Sequence, residues 1–118
     1  KKSVSLSNKI TLDNFIIKKK ISGLDFIKLD VDGLELMVLR SGVNYLKNNK
    51  PPIFMELAPY LYKENGYQLS DLLEFISKIG YNFYKIKTIK KILDIKSFAE
   101  TIEDGSSKNI LLKSDWIY

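Results

Sequence analysis

The chain has 118 residues, of which 45% are hydrophobic and 28% charged, and a formal net charge of +5. It holds no cysteine and no histidine. Those absences exclude disulfide frameworks, thiolate chemistry, imidazole zinc sites and a histidine general base, so any acid or base work falls to carboxylates, lysine or tyrosine.

A chain of this length suits one domain, residues 1–118, with its own core. Almost all the positive charge is lysine, and Arg40 is the only arginine. Guanidinium forks are the preferred bidentate readers of phosphate. The scattered lysines are therefore read as a solvated surface, and no nucleic-acid partner is expected. No apolar run approaches the length of a bilayer span, and no secretory leader pattern is present. A cytoplasmic location is the expectation. The sequence starts at Lys1 rather than at a methionine, which suits a piece of something longer.

In chain order, residues 3–10 alternate weakly through Val4 and Leu6 and read as a strand. Thr11 suits the N-cap of a short helix whose Leu12, Phe15 and Ile16 share a face. Lys18, Lys19 and Lys20 would sit at its carboxyl end, where the helix dipole favours cations. Ser22 and Gly23 break the pattern. Phe26 to Val31 follows as a strand. Ile27, Leu29 and Val31 fall on one face; Phe26, Lys28 and Asp30 fall on the other. Apolar residues on both faces predict a parallel strand covered on both sides.

The spacing of Leu36, Leu39, Val43 and Leu46 predicts one helix from Gly33 to Asn48, ended by Pro51 and Pro52. Ile53 to Leu57 reads as a second buried strand. Strand, helix, strand is a βαβ unit, and a parallel pair would bring Asp30 and Glu56 to the same edge of the sheet. Ala58 to Gln68 is read as a loop carrying Tyr60, Tyr62 and Tyr67, which could stack on a substrate ring but whose expected fate is packing or a lid loop. Ser70 suits an N-cap for a helix striped with Leu72, Leu73, Ile76 and Ile79, with Gly80 at its C′ position. Tyr81 to Lys87 reads as a third strand. A hairpin, a short helix within residues 95–104 and a last strand over residues 109–113 complete the chain.

The turn Asp30-Val-Asp-Gly-Leu-Glu35 concentrates the acids at the carboxyl end of a predicted parallel strand, where α/β sheets place ligands. Asp32 with Glu35 three residues on fits a capping box, and Gly33 permits a close backbone approach. That accounts for three residues without any function. It leaves Asp30, for which Lys28 on the same face or a ligand could supply the partner. A calcium loop fails, because Leu34 and Ser41 occupy positions that need acids. Asp30 and Asp32 also resemble the first motif of haloacid-dehalogenase-like phosphatases, where the first aspartate attacks phosphate and the second handles protons. The other motifs of that family have no counterpart downstream. No metal site is expected.

A broader resemblance covers roughly Val4 to Ile86. Thr11-Leu-Asp-Asn-Phe15, the turn from Asp25 to Glu35, Val38-Leu-Arg-Ser-Gly42, Pro52 to Leu57 and Leu72 to Tyr81 resemble, in order, the motifs of FkbM-like S-adenosylmethionine-dependent methyltransferases. Asp32 stands where that family has glutamate. The resemblance implies an α/β fold: a partial Rossmann-like sheet with a parallel βαβ core, an antiparallel last strand and helices on both faces. It implies methyl transfer from S-adenosylmethionine to a hydroxyl of a small-molecule or carbohydrate acceptor. In that reading Asp30 is catalytic and contacts the cofactor along with Gly33. Asp32, Glu35 and Glu56 line the substrate side, and Lys28 supports Asp30.

The resemblance further implies that the chain is the carboxyl-terminal half of the domain. The half with the glycine-rich cofactor loop is absent, so this piece alone is expected to be inactive. The exposed sheet edge could then be covered by homodimerisation. The alternative to an enzyme is a small α/β binding module without catalysis.

Overall fold

The computed structural model describes residues 3–5, 12–13 and 26–114. Five strands form one sheet: β1 (Ser3–Ser5), β2 (Phe26–Leu29), β3 (Ile53–Leu57), β4 (Asn82–Lys85) and β5 (Lys108–Lys113), in the order β1-β2-β3-β5-β4. The first three run parallel, with Ile27 opposite Ile53 and Leu29 opposite Met55. β5 lies antiparallel between β3 and β4. The expected architecture is observed: a parallel βαβ core closed by an antiparallel last strand.

Alternation decides which face is covered. Ile27, Leu29, Ile53, Met55, Leu57, Phe83, Ile110 and Leu112 point to one side and form the core with residues of the helices. Those helices are α1 (Glu35–Ser41), α2 (Val43–Asn49), α3 (Pro59–Glu64), α4 (Leu69–Lys78) and α5 (Ile95–Glu100). They contribute Leu36 and Leu39, Leu46, Tyr62, then Leu72, Leu73 and Ile76; Ile95 and Phe98 of α5 pack against the same cluster. Each fully buried leucine or isoleucine there contributes about 1.5–3 kcal/mol of apolar transfer. Helices on both faces were expected; among the described residues they lie on this face.

On the other face Phe26, Lys28, Phe54, Glu56 and Asn109 are open or half-open. Phe26 meets Phe54 edge-on, with ring centroids 5.5 Å apart. Tyr84 and Leu111 share that face by register and are buried, with the Lys113 ammonium 4.5 Å from the Tyr84 ring centroid.

Four local readings change. The single helix expected over residues 33–48 is two, broken at Gly42. Leu12 and Asp13, which are helical, explain the break. A Cβ on Gly42 would collide with Leu12, at 2.7 Å from Cγ and 2.8 Å from Cβ. The Asp13 carboxylate accepts the N–H groups of Asn44 (3.3 Å) and Tyr45 (3.1 Å), and so caps α2 from a distant segment. The Leu12 N–H donates to Ser41 Oγ (2.8 Å), which donates to the Val38 carbonyl (2.6 Å). Two of the sequence motifs are thus the two sides of one joint.

The expected loop after β3 contains α3, started by Pro59 in its first turn, where a missing N–H costs nothing. The capping residue of α4 is Gln68, not Ser70, in a reciprocal box with Asp71. Strand β2 stops at Leu29 rather than Val31. Gly80, at φ +96°, follows α4 as predicted. The remainder of the expected first strand and helix, residues 6–11 with the expected N-cap Thr11 and residues 14–23, lies outside the described residues.

Candidate active site

The parallel register that pairs Leu29 with Met55 carries Asp30 and Glu56 to the same end of the sheet. Both line a pocket of about 510 Å³ on the open face, together with Phe26, Lys28, Phe54 and Asn109. Asn109 sits directly across from Glu56 in the β3–β5 register. The pocket therefore combines two carboxylates, one ammonium and an amide with an aromatic wall from Phe26 and Phe54. Asp30 is exposed there rather than buried on the strand face. Its carboxylate is open to a ligand, and burial supplies no reason for it to need Lys28.

The turn beyond Asp30 is built differently from the capping box that the sequence suggested. Asp32 has φ +50° and Gly33 φ +94°, and the Leu34 N–H returns to the Val31 carbonyl at 3.1 Å. Positive φ at both central residues of a hydrogen-bonded turn is the type I′ pattern, which favours Asp-Gly. Leu34, not Asp32, precedes α1, and no side chain caps that helix. Asp32 is exposed.

Glu35 is 3% exposed, and its carboxylate folds back onto the turn. It accepts the Val31 N–H at 3.2 Å and the Gly33 N–H at 3.1 Å. Burial pushes its carboxyl above the ordinary glutamate range, against the pull of these backbone bonds, and the Glu56 charge adds to the rise. Gly33 is fixed on every side. Its N–H goes to Glu35, its carbonyl accepts the Tyr67 hydroxyl at 2.5 Å, and a Cβ there would stand 2.9 Å from Leu61 Cβ in α3.

Of the acids singled out in the sequence, the structure brings Asp30 and Glu56 into one pocket with Lys28. Asp32, Gly33 and Glu35 are absent from its described lining. Glu35 and Gly33 shape the turn. Sequence reasoning missed Asn109, and only strand pairing could have revealed it. It also treated Tyr62 and Tyr67 as generic packing. Among the described residues no cluster of acids could hold a metal ion, and no helix is long and apolar enough to cross a membrane.

A partial Rossmann-like sheet with acids at the ends of adjacent parallel strands defines the class: an α/β protein with a pocket at its strand ends, where such sheets place ligands. The family model for the methyltransferase FkbM domain matches residues 6–83, about two-thirds of the chain. The chain belongs to that methyltransferase family. No curated protein and no solved structure matches it significantly.

Proposed function

We propose that the chain forms one wall of an S-adenosylmethionine-dependent O-methyltransferase, with Asp30 as the catalytic acid–base residue. The observation that carries this reading is the convergence of Asp30 and Glu56 on one pocket at parallel strand ends, in a chain of the FkbM methyltransferase family. The residues present fit part of the cofactor. Carboxylates complement a sulfonium and an ammonium, and the Phe26–Phe54 wall suits an apolar or aromatic moiety. When bound, S-adenosylmethionine supplies an electrophilic methyl group.

This chain's contribution is position and proton handling. Asp30 takes up the proton of an acceptor hydroxyl as its oxygen becomes nucleophilic. Glu56 and Asn109 hold further hydroxyls of the acceptor, and the Lys28 ammonium offsets the carboxylate charge around Asp30. Positioned reactants supply much of the rate in such a displacement. The acceptor is a polyhydroxylated small molecule or carbohydrate, since the pocket offers acceptors and donors side by side.

The same reading makes the chain the carboxyl-terminal part of a larger domain. The turn spends the Val31, Gly33 and Leu34 N–H groups internally, so the nucleoside end of the cofactor would draw most of its donors from elsewhere. The test is Asp30→Asn in a protein carrying the complete domain. Turnover should fall about a hundredfold, the scale of a lost general base. Turnover equal to wild type removes Asp30 from the mechanism.

A further inference from the structure

Two tyrosines link the strand ends that carry Asp30 and Glu56. The Tyr67 hydroxyl donates to the Gly33 carbonyl at 2.5 Å, in the turn that follows Asp30. The Tyr62 hydroxyl donates to the Glu56 carbonyl at 3.0 Å and accepts the Ala58 N–H at 3.1 Å. The two rings stack at 5.1 Å with an interplanar angle of 17°. The Tyr67 N–H also bonds the Tyr62 carbonyl at 3.1 Å, which fixes the spacing between the pair. A continuous path of contacts thus runs from the β2 turn, through both rings, to the exit of β3.

We propose that the Tyr62–Tyr67 stack is a positioning device that holds the Asp30 turn against the Glu56 strand end, with Tyr67 the positioning residue for methyl transfer. The proposal rests on the methyltransferase reading of the pocket. A stack that served packing alone would place its hydroxyls anywhere polar. Here one hydroxyl is spent on the backbone of the turn after Asp30 and the other on the backbone of Glu56 itself. Burial pushes the Tyr67 phenol up to about 12, so it stays protonated and remains a donor across the working pH range. Tyr62 is wholly buried and its phenol is raised further still. Glu35 holds the N–H side of the same turn, and Tyr67 holds the carbonyl side. The turn is thereby fixed from two directions, although its two central residues occupy the left-handed region.

Tyr67→Phe keeps the ring stack and removes only the bond to Gly33, whereas Tyr62→Phe opens a buried polar pair and endangers folding. The experiment therefore uses Tyr67→Phe in a protein carrying the complete domain. It reads amide hydrogen exchange over residues 31–34, and kcat and KM for methyl transfer. The expected result is exchange at least tenfold faster at Gly33 and Leu34, a kcat lowered about tenfold and a KM for S-adenosylmethionine within threefold of wild type. Circular dichroism should show an unchanged fold. Unchanged exchange overturns the clamp. Faster exchange with an unchanged kcat overturns the positioning role. Absence of methyl transfer by the wild-type domain sinks the enzymatic reading and the positioning role together, while the exchange data still decide separately whether the clamp exists.

Discussion

Glu35 holds its proton more tightly in the folded chain than in the unfolded one, because burial outweighs the backbone N–H groups that stabilise its charge. Folding therefore takes up a proton in the window between the ordinary glutamate pKa and the raised folded one. Across that window stability falls as pH rises, and above it the loss is complete. Glu35→Gln has no proton to take up. Its denaturation free energy should be flat where the wild type declines, measured by urea unfolding at a series of pH values. The amide also keeps only one acceptor oxygen for Val31 and Gly33, so one N–H loses its partner at a cost of about 1 kcal/mol. A wild-type and variant pair with parallel pH profiles would show that Glu35 titrates alike in the folded and unfolded chains. Asp30 differs in kind: it is exposed at the pocket, with no backbone turn consuming it. Asp-Gly at residues 32 and 33 was legible as a type I′ turn, since that dipeptide is a strong signal for it. The capping-box pattern in the same four residues hid it, because Glu35 satisfies both templates on paper.

At the scale of elements, the joint between residues 12–13 and the α1–α2 break shows what periodicity alone could not reveal. Leu36, Leu39, Val43 and Leu46 sustain a helical stripe across Gly42, so the sequence reads as one helix. The break is set by a long-range contact, Leu12 against Gly42 and Asp13 on the α2 N–H groups. Asp13→Ala leaves two N–H groups of the first turn of α2 without an acceptor and should destabilise the chain by about 0.5–2 kcal/mol, the range for a lost cap. Thermal unfolding monitored by circular dichroism checks this, with Asp13→Asn expected to recover most of the loss. A neutral Asp13→Ala would mean that water serves those groups equally well. Elements with strong local signals were read correctly: the α4 stripe ending at Gly80, the short helix near residue 95 and the last strand. Helix α3 was missed because Tyr60, Tyr62 and Pro59 look like loop chemistry, and only Tyr62 buried against the core makes the turn a helix.

For the whole molecule, parallel pairing of β2 with β3 follows from the βαβ pattern, and that pairing places Asp30 beside Glu56. The order β3-β5-β4 could not be read that way, because antiparallel closure depends on which strand the chain returns to. That order brings Asn109 to the pocket. The helical layer on one face and the Phe26–Phe54 pair on the other describe a sheet with a covered side and an open side. We propose that this open side is a wall of a cofactor site with Asp30 at its centre. Titration calorimetry with S-adenosylmethionine tests it most directly, on a protein carrying the complete domain and on its Asp30→Asn variant. Binding by the complete domain is expected, weakened at least tenfold by the substitution. Equal affinity in the two proteins, or no binding by the complete domain, would contradict it.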